Sequence, residues 1–137
     1  MATFETADDV YKIFGTFLAE LTQEPEMRPK FVAANTSFLV NYTDPASKIL
    51  VDCTCDPPRV VTDPPADAPA EINLSMSADD GHKFWLGKLN MTVALAKKQV
   101  KVSGPMAKMM KLLPALKPGF AKYKTYLEQN GYGDKVL

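Results

Sequence analysis

Few side chains in this sequence could perform acid–base, nucleophilic or metal chemistry. His82 is the only histidine, so no multi-histidine metal site is available, and its place beside Asp79 and Asp80 at the start of a predicted helix indicates a solvated surface residue. Cys53 and Cys55 are the only cysteines. Their spacing lacks the second pair of a zinc site and is unsuited to a relaxed disulfide, so we expect reduced, buried thiols. The sequence predicts no catalytic residue, no metal and no other cofactor.

The sequence motifs do not favour binding of nucleotides or of nucleic acids. No GxGxxG or GxxxxGKS/T pattern occurs, so nothing supports a glycine-rich nucleotide loop. Lysines and aromatic residues alternate between 117 and 126, as in some nucleic-acid-binding segments, but the helical period places Phe120, Tyr123 and Leu127 on one face with the lysines beside them. This pattern is typical of a helix that packs inward with a basic rim, and no nucleic-acid partner is expected.

Composition limits the class of protein. The 137 residues fit one domain, 1–137, with one core. The hydrophobic fraction of 46% and the charged fraction of 23% are ordinary for a globular protein, and no run approaches the ~18 apolar residues of a membrane-spanning helix. Residues 1–10 carry acids where a secretory signal would carry Lys or Arg. We expect a cytoplasmic protein that is not an integral membrane protein.

Charge is segregated along the chain. Residues 1–80 hold 14 acidic and 5 basic side chains, a formal charge of −9, and residues 81–137 hold 11 basic and 2 acidic ones, a formal charge of +9. Two interpretations stay open. The halves could attract each other across the fold, or the C-terminal half could meet an anionic surface such as phospholipid head groups or a phosphorylated ligand.

The elements that position these side chains begin with a helix and a hairpin. Apolar residues recur every three or four positions from Thr6 to Leu21, and Thr6 starts a capping-box pattern, so this segment is predicted to be a helix. The prolines that follow leave room for one short turn at 26–31. Residues 36–43 and 48–55 then alternate as two antiparallel strands joined by a turn. The loop 56–70 holds five of the 11 prolines and a possible edge segment at 59–62.

The second half alternates between strands and helices. Residues 71–77 predict a strand, and Ser77 caps a helix that ends at Gly87. A further helix over 91–97, capped by Asn90, and a strand over 99–102 follow. The last two helices start at Pro105 and at about Gly119, and Pro114 ends the first of them. This order predicts an α+β fold whose helices cover one face of a sheet.

The C-terminal half carries more apolar surface than its elements need to cover one another. Methionine is flexible and polarizable, and it suits surfaces that fit varied apolar shapes. Met109 and Met110 point about 100° apart on a helix, so both are buried only if that helix is apolar over a wide arc. Such a helix lies deep in a core or borders a cavity. A lipid chain buried there would contribute ~0.8 kcal/mol per methylene without any polar catalyst.

Residues 77–111 resemble the sterol carrier protein 2 family, also called non-specific lipid-transfer proteins. The resemblance rests on an acid-started helix ending in Phe-Trp-Leu-Gly-Lys-Leu-Asn (84–90), on Lys-Gln-Val-Lys-Val-Ser-Gly (98–104) and on the apolar helix that follows. The helix and strands before them match the family's order, so the resemblance covers nearly the whole chain. Peroxisomal members end in a Ser-Lys-Leu-like signal, which the ending Asp-Lys-Val-Leu (134–137) lacks.

The resemblance implies a single five-stranded, mostly antiparallel sheet covered on one face by helices, with an internal apolar tunnel. It implies non-catalytic binding and transfer of fatty acids, fatty acyl-CoA, sterols or phospholipids, with the fifth strand at 59–62. Lysines 97, 98, 101, 108 and 111 would let the mouth of the cavity touch an anionic membrane or a CoA phosphate. The residues expected to floor and wall the cavity are Phe38, Val40, Ile49, Val51, Leu74, Met76, Phe84, Trp85, Met106, Met109, Met110, Leu113 and Phe120.

Two other functions stay open at this point. The apolar groove could bind a partner enzyme or mediate oligomerisation, which would make the chain an accessory or interaction module. A small enzyme acting on hydrophobic acyl substrates could instead use Asp52 or Cys53. Lipid found with the purified protein would favour the first hypothesis over both.

Overall fold

The helix at the start of the chain is capped as predicted. The computed structural model describes residues 3–136. Thr6 Oγ1 accepts the Asp9 N–H at 3.2 Å, and the Asp9 carboxylate accepts the Thr6 N–H at 3.2 Å, so both bonds of the capping box form. The helix runs through α1 (Ala7–Val10), a π-helical turn (Tyr11–Gly15) and α2 (Thr16–Leu21).

A helix stands where only one short turn was expected. Helix α3 spans Arg28–Ala34 and ends at Asn35, whose φ of 46° is left-handed. Pro29 lies in its first turn, where a missing N–H costs no hydrogen bond. The prediction of a short turn at 26–31 is therefore too short, because this proline begins the helix and does not break it.

The sheet has five strands in the order β3-β2-β1-β4-β5. Strand β1 pairs antiparallel with β2 and parallel with β4, and the pairs β2–β3 and β4–β5 are antiparallel. This confirms the predicted α+β fold with a five-stranded, mostly antiparallel sheet, including the edge strand at 59–62. The strands are β1 (Ser37–Thr43), β2 (Ser47–Asp52), β3 (Arg59–Thr62), β4 (Ile72–Ser77) and β5 (Lys101–Ser103).

Side chains of neighbouring strands are in register on the helix-covered face. Phe38 lies opposite both Val51 and Ile72, and the next residue on that face, Val40, lies opposite Ile49 and Leu74. Since successive side chains point to opposite faces of a strand, these residues form one continuous apolar surface across the three central strands.

The helices of the second half begin at the predicted caps. Helix α4 (Ala78–Trp85) starts at Ser77, whose Oγ accepts the Asp80 N–H at 3.1 Å. Gly87, with φ of 74°, supplies the left-handed residue after its end. Helix α5 (Met91–Ala96) starts at Asn90, whose Oδ1 accepts the Val93 N–H at 3.2 Å. Both helices therefore lie within a residue or two of their predicted positions.

The last elements differ slightly from the prediction. Strand β5 begins two residues later than expected, and Pro114 lies inside α6 (Met106–Ala115) instead of ending it at Leu113. Pro114 has no N–H to donate to the carbonyl four residues earlier, and the helix ends in a tighter bond from the Leu116 N–H to the Leu113 carbonyl, at 3.1 Å. Helix α7 (Lys117–Gln129) and a 3₁₀ turn (Gly133–Lys135) complete the chain.

The prediction that His82 is a solvated surface residue is wrong. Its side chain is 1% exposed, and its Nε2–H donates to the Lys135 carbonyl at 2.7 Å while Nδ1 accepts from the Tyr123 hydroxyl at 2.7 Å. Burial lowers the pKa of this imidazole. The C-terminal turn lies over α4 and removes His82 from water.

The two cysteines do not share an environment. Cys53 is buried and Cys55 is exposed, and both are free thiols. The prediction that both are buried is wrong for Cys55, because β2 ends at Asp52 and the backbone no longer alternates as a strand. Among residues 3–136, no three His, Cys, Asp or Glu side chains lie close enough together to hold a metal ion. Over the same residues, no helix is long and apolar enough to cross a membrane.

Candidate functional site

An apolar cavity of about 100 Å³ lies between the sheet and the helices. Its floor comes from β1, β2 and β4, and its walls come from α4 and α6, with single residues from α2, α3 and α5. The lining residues are Leu18, Phe31, Phe38, Val40, Tyr42, Val51, Leu74, Met76, Gly81, Phe84, Trp85, Met91, Met109, Leu112, Leu113 and Leu116.

Helix α4 approaches the floor closely because of one glycine. A Cβ at position 81 would lie 2.9 Å from Cε1 of Tyr42, a distance that would force the helix or the ring to shift. One turn further along the helix, Phe84 and Trp85 form the wall, and their ring centroids are 5.1 Å apart in an edge-to-face arrangement. Phe120 of α7 packs behind them, with its centroid 5.4 Å from that of Phe84. The aromatic wall is therefore supported from outside the cavity.

Helix α6 forms the opposite wall with one apolar stripe. Met109, Leu112, Leu113 and Leu116 recur at spacings of three and four and all line the cavity. Met110 points away from them and is 42% exposed. The apolar face of α6 therefore buries Met109 but is too narrow to bury Met110 as well.

The lining offers little reactive chemistry. Among the residues that the structure describes, only Tyr42 and Trp85 bring a side-chain oxygen or nitrogen to the lining. Burial raises the pKa of the Tyr42 phenol well above its ordinary value, so it is neutral at physiological pH. Asp52 and Cys53, the residues that an acyl-handling enzyme could use, are not part of this lining. Burial also raises the pKa of the Cys53 thiol to about 12, which leaves it a poor nucleophile.

Two surface grooves run along the flanks of α6. The first, here called the lysine groove, lies between α3 and α6 with a volume of about 430 Å³, and its lining includes three lysines. The second, here called the apolar groove, lies on the side of α5 and α7 with a volume of about 260 Å³. The lysine groove is lined by Lys30, Ala33, Ala34, Asn35, Lys108, Lys111, Leu112 and Ala115, and the apolar groove by Phe84, Leu89, Met91, Thr92, Met110, Leu113, Pro114, Lys117 and Phe120.

Most of the residues predicted to form the site lie around the cavity. The structure brings together Phe38, Val40, Val51, Leu74, Met76, Phe84, Trp85, Met109 and Leu113. Ile49 is fully buried on the same sheet face but does not reach the cavity, and Met106 is 43% exposed. Met110 and Phe120 line the apolar groove outside.

Several lining residues were not in the predicted set. Tyr42 follows Phe38 and Val40 on the same strand face, and Leu112 and Leu116 follow Met109 by three and seven positions, so the periodic signal was available for them. Phe31 belongs to α3, where only a short turn was predicted. Leu18, Gly81 and Met91 complete the residues that were missed.

A further surface depression, lined by both polar and apolar residues, lies away from the cavity. It has a volume of about 620 Å³ and runs between α2 and α7. Lys122 bridges Glu24 at 3.3 Å and Glu26 at 3.1 Å on its rim. Lys108 likewise pairs with Glu71 at 2.9 Å. These ion pairs join the basic half of the chain to the acidic half, as expected if the two halves attract each other across the fold. They involve only some of the lysines of the basic half.

Comparisons with known proteins agree on one fold family. The SCP-2 sterol transfer family matches the chain over residues 14–117, whereas no curated protein matches it. The sterol carrier protein domain 2 of Helicoverpa armigera is 16% identical, with a TM-score of 0.65 over 80% of this chain and 89% of that chain. Sterol carrier protein 2 from Yarrowia lipolytica, in its apo form, is 20% identical, with a TM-score of 0.58 over 85% of this chain and 90% of that chain.

A third solved structure carries information about a ligand. Palmitated SCP2L2 from Aedes aegypti is 16% identical to this chain, with a TM-score of 0.57 over 79% of this chain and 94% of that chain. At such identities these likenesses show a shared fold.

Proposed function

The chain belongs to the SCP-2 sterol transfer family, and on that premise we propose that it binds lipids in the apolar cavity and transfers them without reacting with them. The observation that carries this proposal is the lining, which within residues 3–136 places apolar side chains on every side and no group that ionises near neutral pH. Such a site can hold a hydrocarbon chain and has no acid, base or nucleophile to attack it.

Apolar contact alone supplies enough affinity for this task. At ~0.8 kcal/mol per methylene, ten buried methylenes contribute about 8 kcal/mol, which corresponds to a dissociation constant near 1 μM before the costs of ordering the chain. Fatty acids, fatty acyl-CoA, sterols and phospholipids are the proposed ligands. The palmitated Aedes aegypti protein, which shares the fold, supports the fatty-acid class.

The empty cavity is too small for a whole lipid chain. An engineered apolar cavity of about 150 Å³ accommodates benzene, and the cavity described above measures about 100 Å³. A bound chain must therefore push α6 outward, continue into the grooves on its flanks, or both. Close-packed walls of this kind respond to a ligand by discrete shifts of a whole helix.

We further propose that loading and unloading occur at an anionic membrane in the cytoplasm. Lys97 and Lys98 are exposed after α5, Lys101 is exposed at the start of β5, and Met106 and Met110 are exposed on α6. Exposed lysines and exposed apolar side chains both suit the charged surface of a phospholipid bilayer. Transfer of a fluorescent fatty acid should be faster from vesicles with anionic lipid than from neutral vesicles of the same size.

Trp85 provides the test of the cavity proposal. It is the only tryptophan and it lines the cavity, so its fluorescence should change saturably, with one site per chain, when palmitate is added. Val40→Phe should abolish the change by filling the cavity floor, at a folding cost of about 1–3 kcal/mol.

Val61→Phe is the matched control for that test. Val61 pairs with Leu50, on the sheet face opposite to the helices, and both valines are partly buried. The control should bind palmitate as the unmodified protein does. The proposal fails if palmitate leaves Trp85 fluorescence unchanged, or if Val40→Phe, folded by circular dichroism, binds as tightly as Val61→Phe.

A further inference from the structure

We propose that the ligand is a single-chain lipid with an anionic head group, held beneath α6 with the head group in the lysine groove and the end of its chain in the apolar groove. This inference rests on the proposed function, because it assigns a class and an orientation to the ligand of the same cavity. Carboxylate and phosphate head groups share the required chemistry, and the experiment below separates them.

The lysine groove has uncompensated positive charge. Lys108 is paired with Glu71 at 2.9 Å, and Glu71 also accepts a hydrogen bond from the Thr36 hydroxyl. Over residues 3–136, no carboxylate forms an ion pair with Lys30 or Lys111. An anion placed between these two lysines would be attracted by both.

The seam between α3 and α6 connects this charge to the cavity. Leu112 lines the lysine groove on one side and the cavity on the other. The remaining groove residues on the two helices include Ala33, Ala34 and Ala115, whose small side chains leave open space above Leu112. A hydrocarbon chain anchored at the lysines would enter the cavity past Leu112.

The opposite flank of α6 continues the cavity with less charge than the lysine groove. Phe84, Met91 and Leu113 line both the cavity and the apolar groove. Among the described residues that line this groove, Lys117 alone is charged. The apolar groove therefore suits the methyl end of a chain, and the lysine groove suits the head.

Helix α6 consequently lies across the path of the ligand. A helix with its side chains is about 10 Å wide, so only a chain longer than that can contact both grooves at once. Short fatty acids should bind weakly, and each added methylene should strengthen binding about fourfold until the apolar groove is filled.

The head-group assignment is tested with the double variant Lys30→Glu/Lys111→Glu. The probes are palmitate, hexadecyl phosphate and hexadecanol at pH 8, titrated against Trp85 fluorescence. We expect the double variant to bind both anions at least tenfold more weakly and to bind hexadecanol within twofold of the unmodified protein. A larger loss for one anion identifies that head group as the better fit.

The matched control is Lys83→Glu/Lys124→Glu, which makes the same change of charge at exposed helical positions outside both grooves. It should leave all three affinities within twofold. Unchanged palmitate binding in Lys30→Glu/Lys111→Glu, or an equal loss of hexadecanol binding, overturns the head-group site. If the unmodified protein binds none of the three probes, the proposed function falls together with this inference.

Orientation is tested with brominated chains and no substitution. Trp85 packs against Phe84 and Phe120, with ring centroids 5.1 and 6.3 Å away, and both of these residues line the apolar groove. Bromine at the chain end, in 16-bromohexadecanoate, should therefore quench Trp85 more strongly than bromine beside the carboxylate, in 2-bromohexadecanoate. Equal quenching, or the reverse order, contradicts the proposed orientation.

Discussion

Truncating Met109 should destabilise the empty protein while leaving it able to bind lipid. Met109 is 2% exposed and lines the cavity. Met109→Ala removes three heavy atoms, worth about 2.4 kcal/mol at ~0.8 kcal/mol each, and incomplete collapse around the enlarged cavity adds a further cost. We expect a loss of about 3 kcal/mol in the free energy of unfolding, a large share of the ~5–15 kcal/mol typical of a domain.

The assay is urea unfolding followed by circular dichroism, with and without palmitate. Met106→Ala is the control, because Met106 lies on the same helix but is 43% exposed, and its loss should stay within ~0.5 kcal/mol. Palmitate at one hundred times its dissociation constant should add about 2.7 kcal/mol to both the unmodified protein and Met109→Ala. A loss below 1 kcal/mol for Met109→Ala, or equal losses for the two variants, would refute the placement of α6.

Three further predictions follow from buried groups and from a cap. Burial lowers the pKa of His82 below its ordinary value of 6.5, so as the pH falls the unfolded chain takes up a proton before the folded chain does. The free energy of unfolding should therefore be highest above about pH 6.5 and should fall below that pH. His82→Gln should weaken this pH dependence in urea midpoints measured from pH 5 to 8. An unchanged slope in that variant would assign the dependence to other groups. In the native protein iodoacetamide should modify exposed Cys55 and spare Cys53, whose pKa is about 12; peptide mass mapping that finds native Cys53 alkylated would contradict its burial. Thr6→Ala should cost about 1 kcal/mol of stability and Thr6→Ser much less, because only Ser retains a capping oxygen; equal losses would show that the cap is unimportant.

Local signals explain which elements could be predicted from the sequence. The caps at Thr6, Ser77 and Asn90 act on the next few residues, so the positions of three helices follow from short stretches of sequence. The alternation in β1 and β2 likewise defines both the hairpin and its apolar face. Helix α3 was missed because a proline in a first helical turn resembles a helix breaker when its neighbours are unknown.

Contacts between distant residues explain what the sequence could not reveal. The parallel pairing of β1 with β4 joins Phe38 to Ile72, and no local pattern specifies which strand lies beside β1. His82 is buried by Lys135, 53 residues further along the chain. The helical period identified the apolar side of α6, but its rotation, which separates buried Met109 from exposed Met110, depends on packing against the sheet and α3.

We have proposed that the cavity beneath α6 holds one lipid chain. Native mass spectrometry of the protein before and after addition of excess palmitate tests it most directly. We expect one added palmitate per chain in the unmodified protein and in Val61→Phe, and none in Val40→Phe. A spectrum that shows only empty protein at every palmitate concentration, or the same occupancy in Val40→Phe as in Val61→Phe, would contradict it.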